Sequence, residues 1–144
     1  LRSVVDLDKM KGYQIIIDCD VLQADGGTRT ASITGGYVAL CLALKKMLKN
    51  KLIQENPIKE YIAAISCGIV NGAVMIDLDY TEDSSADVDA NFVIAEKSGF
   101  SEIQITGEEK TFSRQSMNDM ITLSEIATTE IFKIQKNVLE KTII

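Results

Sequence analysis

Histidine is absent from this sequence of 144 residues. Its absence excludes the Ser-His-Asp and Cys-His arrangements of nucleophilic catalysis within the chain, and it also excludes histidine as a metal ligand. Any metal ion held by these residues alone must therefore be a hard cation with oxygen ligands.

Cysteine is scarce as well. The three cysteines, Cys19, Cys41 and Cys67, are widely spaced and lie in apolar stretches. An odd number without paired spacing argues against a disulfide framework and against a zinc site. We therefore expect them to be buried thiols of a cytoplasmic protein.

Long apolar runs and targeting segments are also missing. No run of about 18 apolar residues occurs, so the sequence predicts no transmembrane helix. No basic stretch followed by an apolar one opens the chain, which argues against a secretory signal. Because the chain opens on Leu1 rather than on Met, we expect it to be part of a longer protein. Its length suits one domain with its own core.

Positive charge is in deficit: the net charge is −6 and the pI is about 4.7. Nucleic-acid binders normally carry a basic stripe, so the composition disfavours an RNA partner. RNA binding is compatible with this composition if a few specifically positioned groups bind phosphate and another part of the protein supplies positive charge.

Hydrophobic spacing predicts a β-α-β-β-β-β-α order, an α+β fold dominated by antiparallel strands. Asn71-Gly72 predicts a two-residue hairpin between the first two of the four consecutive strands, and Ser98-Gly99 predicts a turn before the last. The predicted elements are a strand over residues 13–23, a helix over 30–49, strands over 61–69, 74–80, 88–95 and 101–106, and a helix from the N-cap Ser113 to about residue 140, with Met117, Ile121, Leu123, Ile126 and Ile131 on its apolar face.

A glycine-rich loop lies between the first predicted strand and the first helix. Gly26 and Gly27 let the backbone approach a ligand, and the N–H groups at a helix start form an anion site. Thr28 adds a hydroxyl donor, and Arg29 adds a planar guanidinium that can donate two hydrogen bonds to one phosphate. The P-loop and dinucleotide patterns are absent. On these residues alone an ordinary glycine turn, with Thr28 or Thr30 as the helix N-cap, is the commoner interpretation.

An acidic segment over residues 77–89 carries six carboxylates among thirteen residues. Asp77 and Asp79 are predicted to share one face of a strand. Asp83 falls near the end of that strand and Asp89 near the start of the next, so a tight connection would bring these two together. Adjacent carboxylates repel unless a proton or a cation lies between them, and Mg²⁺ with substrate phosphate oxygens would resolve the repulsion. A solvated acidic loop is the commoner interpretation of such a run, and an EF-hand does not fit.

Both segments resemble the signature motifs of ribonuclease PH, a phosphate-dependent 3′→5′ exoribonuclease. The matching strings are DCDVLQADGGTRTASITG at residues 18–35 and DLDYTEDSSADVD at residues 77–89. The resemblance covers essentially the whole chain and implies one domain fragment over residues 1–144, the second half of the family fold. That fold is an α+β layer of the ribonuclease PH, ribosomal-protein-S5-domain-2-like type. The absent N-terminal half would carry a Gly-Gly-Arg motif whose arginine also binds phosphate.

The resemblance implies a role for each motif. Gly27, Thr28 and Arg29 would bind inorganic phosphate, while Asp83 and Asp89 would hold Mg²⁺ or Mn²⁺ and carry catalysis. The implied activity is nucleotidyl transfer by phosphorolysis: phosphate attacks the 3′-terminal phosphodiester of RNA and a nucleoside diphosphate leaves. Processing of tRNA 3′ ends and of rRNA, and a hexameric ring of dimers, are implied for the full-length protein.

Two departures from related families bear on this assignment. Polynucleotide phosphorylases have a serine run where this chain has Thr28-Arg29, and a metal-site lysine where it has Asn91, so both positions favour the ribonuclease PH branch. Family members commonly have glutamate where this chain has Asp87, and no role is assigned there. The alternatives are a catalytically silent structural ring subunit of an exosome-like complex, an inactive fragment of the enzyme, and an acidic binding domain. Retention of both motifs favours the enzyme.

Overall fold

The computed structural model describes residues 1–108 and 110–142. Two short 3-10 turns open the chain, and three α-helices and four strands follow. In chain order the elements are α1 (Thr28–Lys49), β1 (Ile62–Val70), β2 (Ala73–Ile76), α2 (Tyr80–Ser84), β3 (Val88–Ala95), β4 (Gly99–Gly107) and α3 (Arg114–Lys141). The strands form one antiparallel sheet in the order β2-β1-β3-β4.

The antiparallel sheet is built on consecutive hairpins, as predicted. Asn71 and Gly72 both have positive φ, 52° and 79°, which is the conformation that a two-residue hairpin turn requires. Gly99, the first residue of β4 after the turn from β3, has a φ of 90°. β3 has the predicted bounds. The predictions for β1, β4, α1 and α3 differ from the structure by one or two residues at their ends.

The two faces of the sheet pack against different helices because side chains alternate along each strand. From β1, Ile62 and Ala64 join the core under α1, whereas Ile65 and Cys67 join the core under α3. On β3 the residues of the first core are Val93 and Ala95, and those of the second are Val88, Ala90, Phe92 and Ile94. The α1 face of the sheet is therefore the face to which Ser66, Asp89 and Asn91 also belong.

Helix α1 is the one helix within the described ranges whose length and composition would allow it to cross a membrane. Tyr37, Leu40 and Leu44 are buried on its inner face and pack on the sheet. One side of the helix is therefore packed against the sheet.

Helix α3 begins at the predicted N-cap, Ser113, whose hydroxyl accepts from the N–H of Ser116 at 3.0 Å. The predicted apolar face is wrong at Ile126, which is 61% exposed. Small and polar residues occupy part of the buried face, and some of their polar groups find partners there. Thr128 donates to the Ser124 carbonyl at 2.8 Å, and the amide of Gln135 donates to the carbonyls of Thr34 and Ile62 at 3.2 and 3.0 Å.

The predicted strand over residues 13–23 is wrong. No backbone N–H of residues 14–25 donates a hydrogen bond to any residue that the structure describes. Side chains still alternate: Ile15 and Ile17 pack against the α1 core, while Ile16 is 81% exposed. The pattern thus identified the inward face correctly, but a strand also needs a neighbour to accept its hydrogen bonds.

The acidic segment also differs from the prediction. β2 ends at Ile76, and Asp77 has a φ of 55°, so Asp77 and Asp79 do not share a strand face. Asp79 is the N-cap of α2 in a capping box: its side chain accepts from the N–H of Glu82 at 2.9 Å, and Glu82 accepts from the N–H of Asp79 at 3.1 Å. This local capping signal prevails over strand propensity, and it places Asp83 on a helix rather than on a strand.

The three cysteines are free and differ in burial. Cys67 is buried as predicted, Cys41 is half-buried, and Cys19 is exposed. The expectation of a buried thiol is wrong for Cys19, because it lies on the segment that has no strand neighbour. Its thiol lies 3.7 Å from the Ser32 carbonyl oxygen.

Candidate functional site

The N-terminus of α1 presents uncapped backbone donors. Gly27 is the N-cap residue, has a φ of 70° and provides no side-chain cap. The N–H groups of residues 27–30 donate to no residue in the described part of the chain. Free N–H groups and the dipole of a long helix together attract an anion.

Both glycines of the loop are required by close packing. A Cβ on Gly26 would lie 2.0 Å from the Leu78 carbonyl oxygen, and one on Gly27 would lie 2.9 Å from Ser66 Oγ. The loop is therefore seated directly on β1 and on the residues that lead into α2. Gly27 also needs the left-handed conformation that glycine adopts without strain.

Asp25 connects the glycine loop to α2. Its Oδ1 atom accepts from the N–H of Gly26 at 2.8 Å and from the N–H of Tyr80 at 2.6 Å. Since Tyr80 is the first residue of α2, the carboxylate caps that helix as well as shaping the loop. The position of the loop is thus coupled to the position of Asp83.

Asp83 and Asp89 approach each other from α2 and β3. Burial raises the pKa of the Asp89 carboxyl above its usual range, and the negative charges of Asp83 and Glu108 raise it further. Neither aspartate forms an ion pair with a cation among the residues described. The two carboxylates therefore border the same space as like charges.

A pocket of about 250 Å³ brings these groups together. All five residues predicted from the sequence line it: Gly27, Thr28, Arg29, Asp83 and Asp89. Three further residues complete the lining, namely Asp25, Ser66 and Asn91.

The side chains of Thr28 and Arg29 are directed differently from the expectation. The Thr28 hydroxyl donates to the Asp25 carbonyl at 2.7 Å, so its proton is used within the loop. The Arg29 guanidinium pairs with Glu102 of β4, with Nη1–Oε1 at 2.7 Å and Nη2–Oε2 at 3.0 Å. The hydrogen bond from Arg29 lowers the pKa of Glu102. This pair engages the end of the guanidinium and leaves its Nε–H for another acceptor.

Two residues of this region escaped prediction. Ser66 is a lone hydroxyl in the buried, otherwise apolar strand Ile62–Val70, and that contrast is a signal that could have been used. Glu102 has no comparable signal, because its contact with Arg29 spans 73 residues and depends on the fold.

The aspartate pair fits a hard divalent cation. Within the described ranges no group of three or more His, Cys, Asp or Glu side chains could hold a metal. Mg²⁺ needs only one or two protein carboxylates, because waters and substrate phosphates supply its other ligands. The unpaired oxygens of Asp83 and Asp89, and the repulsion between them, match that requirement.

A helix start with free N–H groups that faces a carboxylate pair is an arrangement suited to binding phosphate groups and a divalent cation. Residues 1–46 match the model for domain 1 of the 3′ exoribonuclease family, and residues 60–127 match domain 2. The chain belongs to this family, that of ribonuclease PH. The glycine loop falls in the domain 1 match and the two aspartates fall in the domain 2 match, so the pocket lies where the two meet.

Solved structures of similar fold include exosome proteins. Rice (Oryza sativa) Rrp46 is 22% identical with a TM-score of 0.65, over 83% of this chain and 51% of that chain. An archaeal exosome core chain is 15% identical with a TM-score of 0.62, over 80% and 47% of the two chains. A chain of an Archaeoglobus fulgidus exosome with RNA bound to the active site is 15% identical with a TM-score of 0.58, over 76% of this chain and 44% of that chain.

These matches confirm the predicted α+β fold of the ribonuclease PH type. The chain spans about half the length of the solved chains that it resembles.

Proposed function

We propose that this chain carries the catalytic pocket of a phosphate-dependent 3′→5′ exoribonuclease, a nucleotidyltransferase that releases nucleoside diphosphates. Family membership supports a 3′ exoribonuclease or a ring subunit of exosome type. The observation that favours the enzyme is the single pocket in which the bare start of α1 faces Asp83 and Asp89.

In the proposed reaction the N–H groups of residues 27–29 and the Arg29 guanidinium hold inorganic phosphate. A phosphate oxygen attacks the phosphorus of the last phosphodiester of an RNA, and the bond to the 3′-oxygen of the preceding nucleotide breaks. Asp89 is the carboxylate that we propose delivers the proton that this oxygen takes up, because it lines the same pocket as the start of α1. Mg²⁺ or Mn²⁺, held by Asp83 and Asp89, would neutralise negative charge on the phosphate oxygens.

RNA 3′ ends are the proposed substrates, tRNA precursors and rRNA among them. The net charge of −6 leaves little in this chain to attract an RNA backbone. We therefore assign most of the basic RNA contacts to a further segment of the protein, and the resemblance to ribonuclease PH implies a second phosphate-binding arginine in that segment. A cytoplasmic ring of identical dimers is the proposed assembly, and the exosome neighbours make mixed rings the alternative. The isolated 144-residue chain should accordingly be weakly active or inactive.

The test is phosphate-dependent release of nucleoside diphosphate by the full protein and by Asp83→Asn and Asp89→Asn. Each variant should lose at least about a hundredfold in rate and should still assemble, since neither carboxylate forms an ion pair within the described residues. Asp87→Asn is the matched control: it lies two residues from Asp89 but pairs with Lys110 at 2.9 Å and is absent from the pocket lining. Full activity in both site variants would refute the assignment.

Arg29 provides a second arm of the same test. Arg29→Ala should chiefly raise the apparent KM for phosphate, because the substituted group contacts phosphate rather than the departing RNA. An unchanged phosphate dependence would remove Arg29 from the site.

A silent ring subunit is the second candidate. It is favoured by the exosome neighbours and by the engagement of Arg29 with Glu102. Such a protein would assemble and retain RNA but would release no nucleoside diphosphate at any phosphate concentration.

A further inference from the structure

Ser66 is a buried hydroxyl without a partner. It lies in the middle of β1, its residue exposure is 2%, and its Oγ atom has no hydrogen-bond partner within residues 1–108 and 110–142. Burying a hydroxyl without a hydrogen bond is unfavourable, whereas alanine at the same position would carry no such cost. A serine here therefore indicates an acceptor that residues 1–108 and 110–142 do not provide.

The hydroxyl faces the start of α1. Ile62 and Ala64 precede Ser66 on the same face of β1 and pack under α1, so Ser66 is the next residue of that face. Its Oγ atom lies 2.9 Å from the point that a Cβ on Gly27 would occupy. Across the sheet its register partner is Asn91, which also lines the pocket.

The two threonine hydroxyls at the start of α1 donate their protons within the loop. The Thr30 hydroxyl donates to the Gly27 carbonyl at 2.8 Å, and the Thr28 hydroxyl donates to the Asp25 carbonyl. The backbone N–H groups of residues 27–30 also lack partners among the described residues. One buried hydroxyl and several free N–H groups thus border the same space, and a single oxyanion would satisfy them together.

We infer that Ser66 is a further phosphate-binding residue, whose hydroxyl donates to an oxygen of inorganic phosphate from the floor of the pocket. The N–H groups at the start of α1 hold the other oxygens of the same anion. This inference rests on the proposed function and extends it, because the phosphate site then includes a residue from the central strand as well as from the glycine loop.

The test compares wild type, Ser66→Ala and Ser124→Ala in the full protein by calorimetric titration with inorganic phosphate. Ser124 is the matched control: it is equally buried, its hydroxyl likewise has no hydrogen-bond partner among the described residues, and it lies beside Cys67 on the opposite face of the sheet. Loss of a hydrogen bond to a charged group should weaken phosphate binding by roughly tenfold or more in Ser66→Ala. Ser124→Ala should bind phosphate as wild type does.

Two further readouts separate binding from a structural role. The apparent KM for phosphate should rise in Ser66→Ala with a smaller change in kcat. Its melting temperature without phosphate should be unchanged or higher, since no hydrogen bond to a described residue is removed, and the stabilisation by added phosphate should shrink. A lower melting temperature with unaltered phosphate affinity would mean that Ser66 is purely structural.

Failure of this inference is distinct from failure of the proposed function. If wild type and Ser66→Ala bind phosphate equally, Ser66 is not a phosphate residue and the enzyme assignment stands. If wild type binds no phosphate and releases no nucleoside diphosphate, the proposed function and the inference both fall.

Discussion

Asp25 accepts a hydrogen bond of 2.6 Å from the backbone N–H of Tyr80, a residue 55 positions further along the chain. Asp25 immediately precedes the two glycines at the start of α1, and Tyr80 begins the short helix that carries Asp83. This hydrogen bond therefore connects the glycine loop to the helix that carries Asp83. It helps to fix the distance between the two parts of the proposed site.

Substitutions of Asp25 distinguish two roles of its side chain, that of hydrogen-bond acceptor and that of negative charge. Asp25→Ala removes the acceptor for two N–H groups and should cost about 1–3 kcal/mol of stability, together with roughly tenfold in the rate of nucleoside diphosphate release. Asp25→Asn keeps a side-chain oxygen and should be much milder in both respects. Urea unfolding and steady-state kinetics measure the two effects. Equal damage by Asn and Ala would show that charge, rather than the hydrogen bond, is what matters.

Gly26 should not tolerate a side chain. Its Cβ would lie 2.0 Å from the Leu78 carbonyl oxygen, so Gly26→Ala must displace the loop and should cost about 1–3 kcal/mol. Gly35→Ala is the control: it lies within α1, and a Cβ there would meet nothing within 4 Å. That substitution should stabilise the protein by up to about 1 kcal/mol. Similar unfolding midpoints for the two variants would contradict the close packing.

The ion pair between Arg29 and Glu102 should make a small, pH-dependent contribution to stability. Arg29 lowers the pKa of Glu102 below 4.5 in the folded protein. The contribution is therefore present above pH 4.5 and is lost as the pH falls through the lowered pKa. Because both side chains are about half exposed, we expect at most about 1 kcal/mol.

A double-mutant cycle with Arg29→Gln and Glu102→Gln, measured at pH 7 and again in acid below the lowered pKa, isolates this contribution. The coupling free energy should be favourable at neutral pH and should vanish in acid. A coupling that persists unchanged in acid would contradict the assigned direction.

Local sequence signals predicted most of the fold. The helical spacing of Tyr37, Leu40 and Leu44, and the Asn71-Gly72 turn, fix elements through neighbours that are close in the chain. Residues 13–23 show the limit of such signals. Their alternation is real, but the hydrogen bonds of a strand depend on a neighbour that local sequence does not reveal.

In the candidate site, too, some features follow from local sequence and others depend on contacts between distant residues. The glycine loop and the acidic segment were recognisable as motifs, and the structure brings their five predicted residues into one pocket. The sequence predicts no helix around Asp83, because the alternation over residues 74–80 favours a strand that extends to the N-cap Asp79 of that helix. Glu102 reaches Arg29 only through the order of strands in the sheet, and Ser66 is notable only once its burial is known.

The central claim is that inorganic phosphate is the attacking nucleophile in this pocket. The direct measurement supplies the full protein with RNA, Mg²⁺ and isotopically labelled inorganic phosphate and then identifies the products. The account predicts nucleoside diphosphates that carry the label in the β-phosphate, and their loss in Asp83→Asn and Asp89→Asn. Unlabelled nucleoside monophosphates, or no product from an assembled wild-type protein, would contradict it.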